Sequence, residues 1–102
     1  MTFILSLLLA NAFAAPNIMT PCRLIAEEEV RYDFEIAYPE VEAVTVVTTF
    51  ENKTSDTEAM FDITASGPLG DQTAEQNWRV GTRVINGACQ AVSWELIRDE
   101  IH

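Results

Sequence analysis

The chain has 102 residues, room for one domain, and sets 16 acidic side chains against six lysines and arginines, a net charge of −10. Such a surface repels nucleic acid and anionic lipid, so neither nucleic acid nor membrane is an expected partner, whereas a basic protein partner suits it. With 48% apolar residues a core is affordable in composition, although a domain this small has a thin stability margin.

Residues Thr2 to Ala15 form an apolar run that ends in Ala12-Phe13-Ala14, a small-x-small cleavage pattern. The expectation is a signal peptide over residues 1–14, cleaved after Ala14, and a single domain over residues 15–102. No lysine or arginine precedes the run, and a buried N-terminal helix or strand is the alternative. The run is too short for a stable membrane span. An exported, secreted or periplasmic chain with two cysteines, Cys22 and Cys89, is expected to join them in one disulfide. That bridge closes most of the chain into a loop, worth about 4 kcal/mol as an upper figure.

In chain order, Pro16 to Pro21 reads as a proline-bounded leader and Cys22 to Ala26 as a first strand, interrupted by Glu27-Glu28-Glu29. Val30, Tyr32, Phe34, Ile36 and Tyr38 alternate with Arg31, Asp33, Glu35 and Ala37, a period of two that predicts a half-buried strand stopped by Pro39. Val41 to Phe50 carries apolar residues on both faces and predicts a central, doubly covered strand. Glu51 to Asp56 is a polar turn, and Ala59 to Ala65 alternates as the returning strand. Ser66-Gly67-Pro68-Leu69-Gly70 is expected to break the sheet, and Asp71 to Asn77 to form a loop or one helical turn.

Two apolar-alternating runs then flank Asn86-Gly87, a strong hairpin signal. A two-residue loop pairs Val84 with Cys89 and puts Val92, Trp94 and Leu96 on the face opposite Trp78, Val80 and Val84. A three-residue loop, Ile85-Asn86-Gly87, pairs Val84 with Ala88, Val80 with Val92 and Trp78 with Trp94 on one face. A one-residue slip inverts every side chain, so the three-residue loop is expected, with a tryptophan pair in the core and Cys89 on the other face. Residues 88–101 also fit a helix that carries Cys89, Val92 and Leu96 on one stripe. Six or seven strands without a long helix predict an all-β fold, an immunoglobulin-like or fibronectin III-like antiparallel β-sandwich.

Chemistry is sparse. The single histidine, His102, is the last residue, a poor place for a positioned base. Cys22, Cys89 and His102 lack zinc-ligand spacing, and Gly67, Gly70, Gly81 and Gly87 match no nucleotide motif. Asp71 and Glu75 lie near Gly70, but no calcium-loop pattern surrounds them. The expected catalytic, cofactor-binding and metal residues are therefore none. Asn52-Lys53-Thr54 is an N-glycosylation acceptor expected in a hairpin turn.

These readings converge on a non-enzymatic exported binding module that acts through protein–protein contacts, its partner a basic surface or an unpaired β-strand. The alternative is a periplasmic assembly chaperone or amyloid inhibitor for an exported fibre subunit. An enzyme would instead require a concave pocket with perturbed carboxylates. A subunit of a larger assembly would expose an apolar patch around Met60, Leu69 or Ile101.

Overall fold

The computed structural model describes residues 17–102; the expected leader and its cleavage after Ala14 lie outside the described residues. The chain is mostly antiparallel β, as its patterning predicts, but its strands form one sheet. A helix, α1 (Met19–Ala37), precedes four strands: β1 (Thr45–Lys53), β2 (Glu58–Leu69), β3 (Gln72–Ile85) and β4 (Ala88–Ile101). The sheet is a meander in the order β1-β2-β3-β4, every neighbour antiparallel. The second layer is α1 in place of the second sheet expected of a six- or seven-stranded sandwich.

The two strands expected over Cys22–Ala26 and Val30–Tyr38 are instead this one helix. Ile18, Cys22, Ala26, Val30 and Phe34 recur every four residues, and all five are buried, the spacing of one helical face. The competing period of two would have buried Tyr32 and Ile36, which are 62% and 63% exposed. Glu27-Glu28-Glu29 suits a helix and resists a buried strand. Asn17 Oδ1 accepts the Met19 backbone N–H at 3.0 Å. Pro21 falls in the first turn, where an N–H has no intrahelical partner to lose. The helix closes with the Tyr38 N–H on the Phe34 carbonyl at 2.9 Å, and Pro39 prevents a further turn.

Val41–Phe50 was expected at the centre of the sheet; β1 lies at its edge. Its apolar residues split: Val46 packs toward the core, while Val47 and Phe50 are exposed. β2 does not end at Ser66 but runs to Leu69, and Pro68 lies beyond Ser66, the last residue paired with β1, where it interrupts no β1 bond. Gly70-Asp71 makes a two-residue turn, with Gly70 at φ +66° supplying the left-handed backbone. Asp71–Asn77 is thus turn and strand, not a loop or helical turn.

The hairpin forms, and residues 88–101 are strand, but the loop is the two-residue one. Val84 pairs with Cys89 and Ile85 with Ala88. Asn86 and Gly87 both have positive φ, 54° and 82°, the signature of a type I′ turn. Val92 then bulges out of the ladder, so that Val80 faces Trp94 and Trp78 faces Leu96. The bulge returns Trp94 and Leu96 to the face of Trp78 and Val80 without lengthening the loop. Trp78 and Trp94 are consequently diagonal neighbours, not a direct cross-strand pair, and Cys89 shares the inner face with Val84.

That inner face meets α1. Phe61, Ile63 and Ala65 from β2, Ala74 and Val80 from β3, and Cys22, Ala26, Val30 and Phe34 from the helix form one buried cluster. Two polar groups enter it with partners: Gln76 Oε1 accepts the Trp78 indole N–H at 3.0 Å, and the Thr82 hydroxyl donates to the Ala59 carbonyl at 3.0 Å. Cys22 and Cys89 are joined in the expected disulfide, which bolts α1 to the start of β4 across 67 positions of sequence.

Candidate interaction surface

Among the described residues, the order of the strands leaves two free edges. β1 offers one of nine residues, kinked where its register with β2 shifts between Thr48 and Phe50. Its inner side is guarded by α1: Arg23 reaches Glu51 at 3.4 Å, the Thr48 hydroxyl donates to Glu27 at 2.6 Å, and Arg31 donates to the Val44 carbonyl at 3.4 Å. Three side chains at helical spacing of four thus dock one flank of the helix on β1 and on Val44, the residue that leads into it. The concavity beneath them, about 650 Å³, is lined by Arg23, Glu27 and Val46 to Glu51.

β4 offers the longer edge, 14 residues. Val92, Trp94, Leu96, Ile97 and Ile101 on it are each between 42% and 50% exposed. Trp94, Leu96 and Ile101 share the helix-side face, opposite Val80, Trp78 and Ala74. Val92 and Ile97 are each skipped in the pairing with β3 and form bulges. Half-exposed apolar side chains concentrated on one edge strand are the strongest interaction signal among the described residues.

Charge surrounds this strip unevenly. On β4, Glu95, Asp99 and Glu100 outnumber Arg98, and Arg98 Nε contacts Glu100 at 3.2 Å and Asn77 Oδ1 at 3.1 Å. The flank of α1 turned away from β1 carries Ile25, Glu29 and Asp33, and burial pushes the Asp33 carboxyl above its ordinary pKa. At the end of the helix the Tyr38 hydroxyl donates to Asp99, the second tie between α1 and β4. The outer face of the sheet is different in character: Arg79 bridges Asp62 through two bonds, at 2.9 and 3.3 Å, and Arg83 bridges Glu58 at 2.8 Å, directly across the β2–β3 ladder.

The remaining sequence-predicted positions scatter. Asn52 is exposed and stands opposite Met60 near the end of β1, inside the strand and not in the turn. Met60, Leu69 and Ile101 do not form one patch: Met60 lies on the outer face, Leu69 packs against the core, and Ile101 belongs to the β4 strip. Glu75 pairs with His102 at 2.8 Å, and no group of three potential metal ligands occurs among the described residues. An apolar groove of about 500 Å³ beside the disulfide is lined by Ile18, Pro21, Leu24, Ile25, Val84 and Ala88, among others. Sequence reading placed Trp94 and Leu96 in a core because their strand alternates; the missing cue was which strand would be last in the sheet. No helix among the described residues is long and apolar enough to cross a membrane. No family model, curated protein or solved structure matches the chain.

Proposed function

We propose that this protein is an exported, non-enzymatic binding module that accepts a partner strand along the free edge of β4. The observation that carries the reading is the run of five half-exposed apolar side chains on that edge strand. Strand addition joins main-chain hydrogen bonds, which supply affinity, to alternate side-chain contacts, which supply selectivity. The inward side chains of the added strand would lie against Trp94 and Leu96. Its other face would meet Glu95 and Glu100, so a strand that alternates apolar with basic residues fits best. The apolar leader and the Cys22–Cys89 bridge support export to an oxidising compartment, secreted or periplasmic. An assembly chaperone or amyloid inhibitor for a fibre subunit would use the same edge, because masking an unpaired strand is what such a protein does.

A ten-residue peptide of alternating valine and lysine is the direct probe. Titrated into the labelled protein, it is expected to move the backbone amide resonances of residues 92–101 and leave those of β1 in place. A peptide with proline at alternate positions, unable to supply the ladder, is expected to bind at least about tenfold more weakly. Equal binding of the two peptides, or shifts confined to α1 and β1, overturns the reading.

A further inference from the structure

We infer that the strand completing the β4 edge is, when no foreign strand is present, β4 of a second copy of this chain, in one defined antiparallel register; this rests on the strand-addition reading above. The two bulges and the single cation of β4, Arg98, together select the register. With Val92 and Ile97 skipped, Cys89, Ala91, Trp94, Leu96, Asp99 and Ile101 fall on the helix side, and Gln90, Ser93, Glu95, Arg98 and Glu100 on the outer side. Two copies paired about a two-fold axis normal to the sheet must set same-side residues opposite each other.

The charges of β4 are Glu95, Arg98, Asp99 and Glu100, so an opposite-charge pair across the axis requires Arg98 to face one of the three acids. Facing Asp99 would match an outer residue with a helix-side one. Facing Glu100 would set Asp99 against Asp99 of the other copy. Facing Glu95 satisfies both conditions: Glu95 lies against Arg98 twice, Trp94 against Asp99, Ser93 against Glu100, and no like charges oppose. The axis then passes between Leu96 and Ile97, and these two side chains of both copies meet beside it. Each is among the exposed large apolar residues of the single chain, 42% and 50% respectively. The product is a continuous eight-stranded sheet with both helices on one face. Among the registers that set Arg98 against an acid, the bulges thereby leave one in which faces and charges agree.

Sedimentation equilibrium of the purified disulfide-bonded chain at 0.15 M salt is expected to show a dimer. Glu95→Arg and Arg98→Glu are each expected to weaken it by about tenfold, because each turns two attractive cross-strand pairs into repulsive ones. The double variant, which restores both pairs with signs exchanged, is expected to return the dissociation constant close to the parent value. Far-ultraviolet circular dichroism establishes that each variant is folded. An independent readout mixes Ser93→Cys copies with Glu100→Cys copies, whose substituted positions face each other in this register. The mixture is expected to form an intermolecular disulfide faster than either variant alone. A dimer indifferent to the charge exchange and to the cysteine pairing overturns this interface. A chain that stays monomeric but binds the valine–lysine peptide overturns the second copy as occupant and leaves strand addition standing. A monomer that binds no strand overturns both.

Discussion

Two glycines show how much a single methyl group depends on its neighbour. A Cβ at Gly67 would lie 2.2 Å from Val41 Cγ1 and 2.6 Å from the Ala43 carbonyl oxygen. The carbonyl is backbone and the segment 41–43 is held over the end of the sheet by Val41, which is buried. Gly67→Ala is therefore expected to cost about 1–3 kcal/mol in urea denaturation. At Gly81 the close atom is the Ser93 hydroxyl oxygen, 2.5 Å away. That hydroxyl belongs to an exposed side chain and can rotate, so Gly81→Ala is expected to change stability by less than about 0.5 kcal/mol, with the gain in chain stiffness offsetting the contact. Tyr38 gives a pH-dependent counterpart. Its hydrogen bond to Asp99 raises the phenol pKa above the ordinary 10.0, helped by burial and by the Asp99 charge. A group whose pKa is raised on folding stabilises the fold while protonated, and that stability is lost as pH rises through the folded-state value. The melting temperature of the parent chain is thus expected to fall more steeply above pH 10 than that of Tyr38→Phe, which has no phenol to titrate. Parallel melting curves for the two would show that the bond to Asp99 contributes nothing.

At the scale of elements, the contact that matters most is between α1 and β4. The helix reaches every strand, but only to β4 is it covalently tied, at Cys22, and tied again through Tyr38 at its other end. The bridge spans 67 positions, so its removal releases a long loop in the unfolded chain, worth about 4 kcal/mol on the chain-entropy model. Cys22→Ser with Cys89→Ser is expected to lower the urea midpoint substantially, by an amount set by that loss over the denaturant slope. An unchanged midpoint would mean that packing of Ile18, Ala26, Val30 and Phe34 holds the helix unaided. The β3–β4 hairpin carries a different lesson. Its existence around Asn86-Gly87 was legible from local chemistry, as was the common face of Trp78, Val80, Trp94 and Leu96. The means of reaching that face was not. A longer loop and a bulge both add one residue to the register, and the choice falls to the turn, where Asn86 and Gly87 together make the tight I′ geometry. Val92, free to stand out at an edge strand, absorbs the extra residue instead.

For the molecule as a whole, a single layer of four strands can bury one face against one helix, and nothing further among the described residues covers the last strand. That is why five large apolar side chains of β4 remain half exposed, and why the acidic excess of the chain surrounds them without shielding them. A mostly antiparallel β-chain, the pairing partners Cys22 and Cys89, and a hairpin around Asn86-Gly87 follow from the residues alone, because composition, cysteine count and turn chemistry are local properties. That Met19–Ala37 is helix and that β1 and β4 are the edges depends instead on packing between distant segments. In that helix an alternation of two and a repeat of four coexist in the same residues, and the repeat of four wins because it presents Cys22, Ala26, Val30 and Phe34 together to a sheet that the segment itself cannot see.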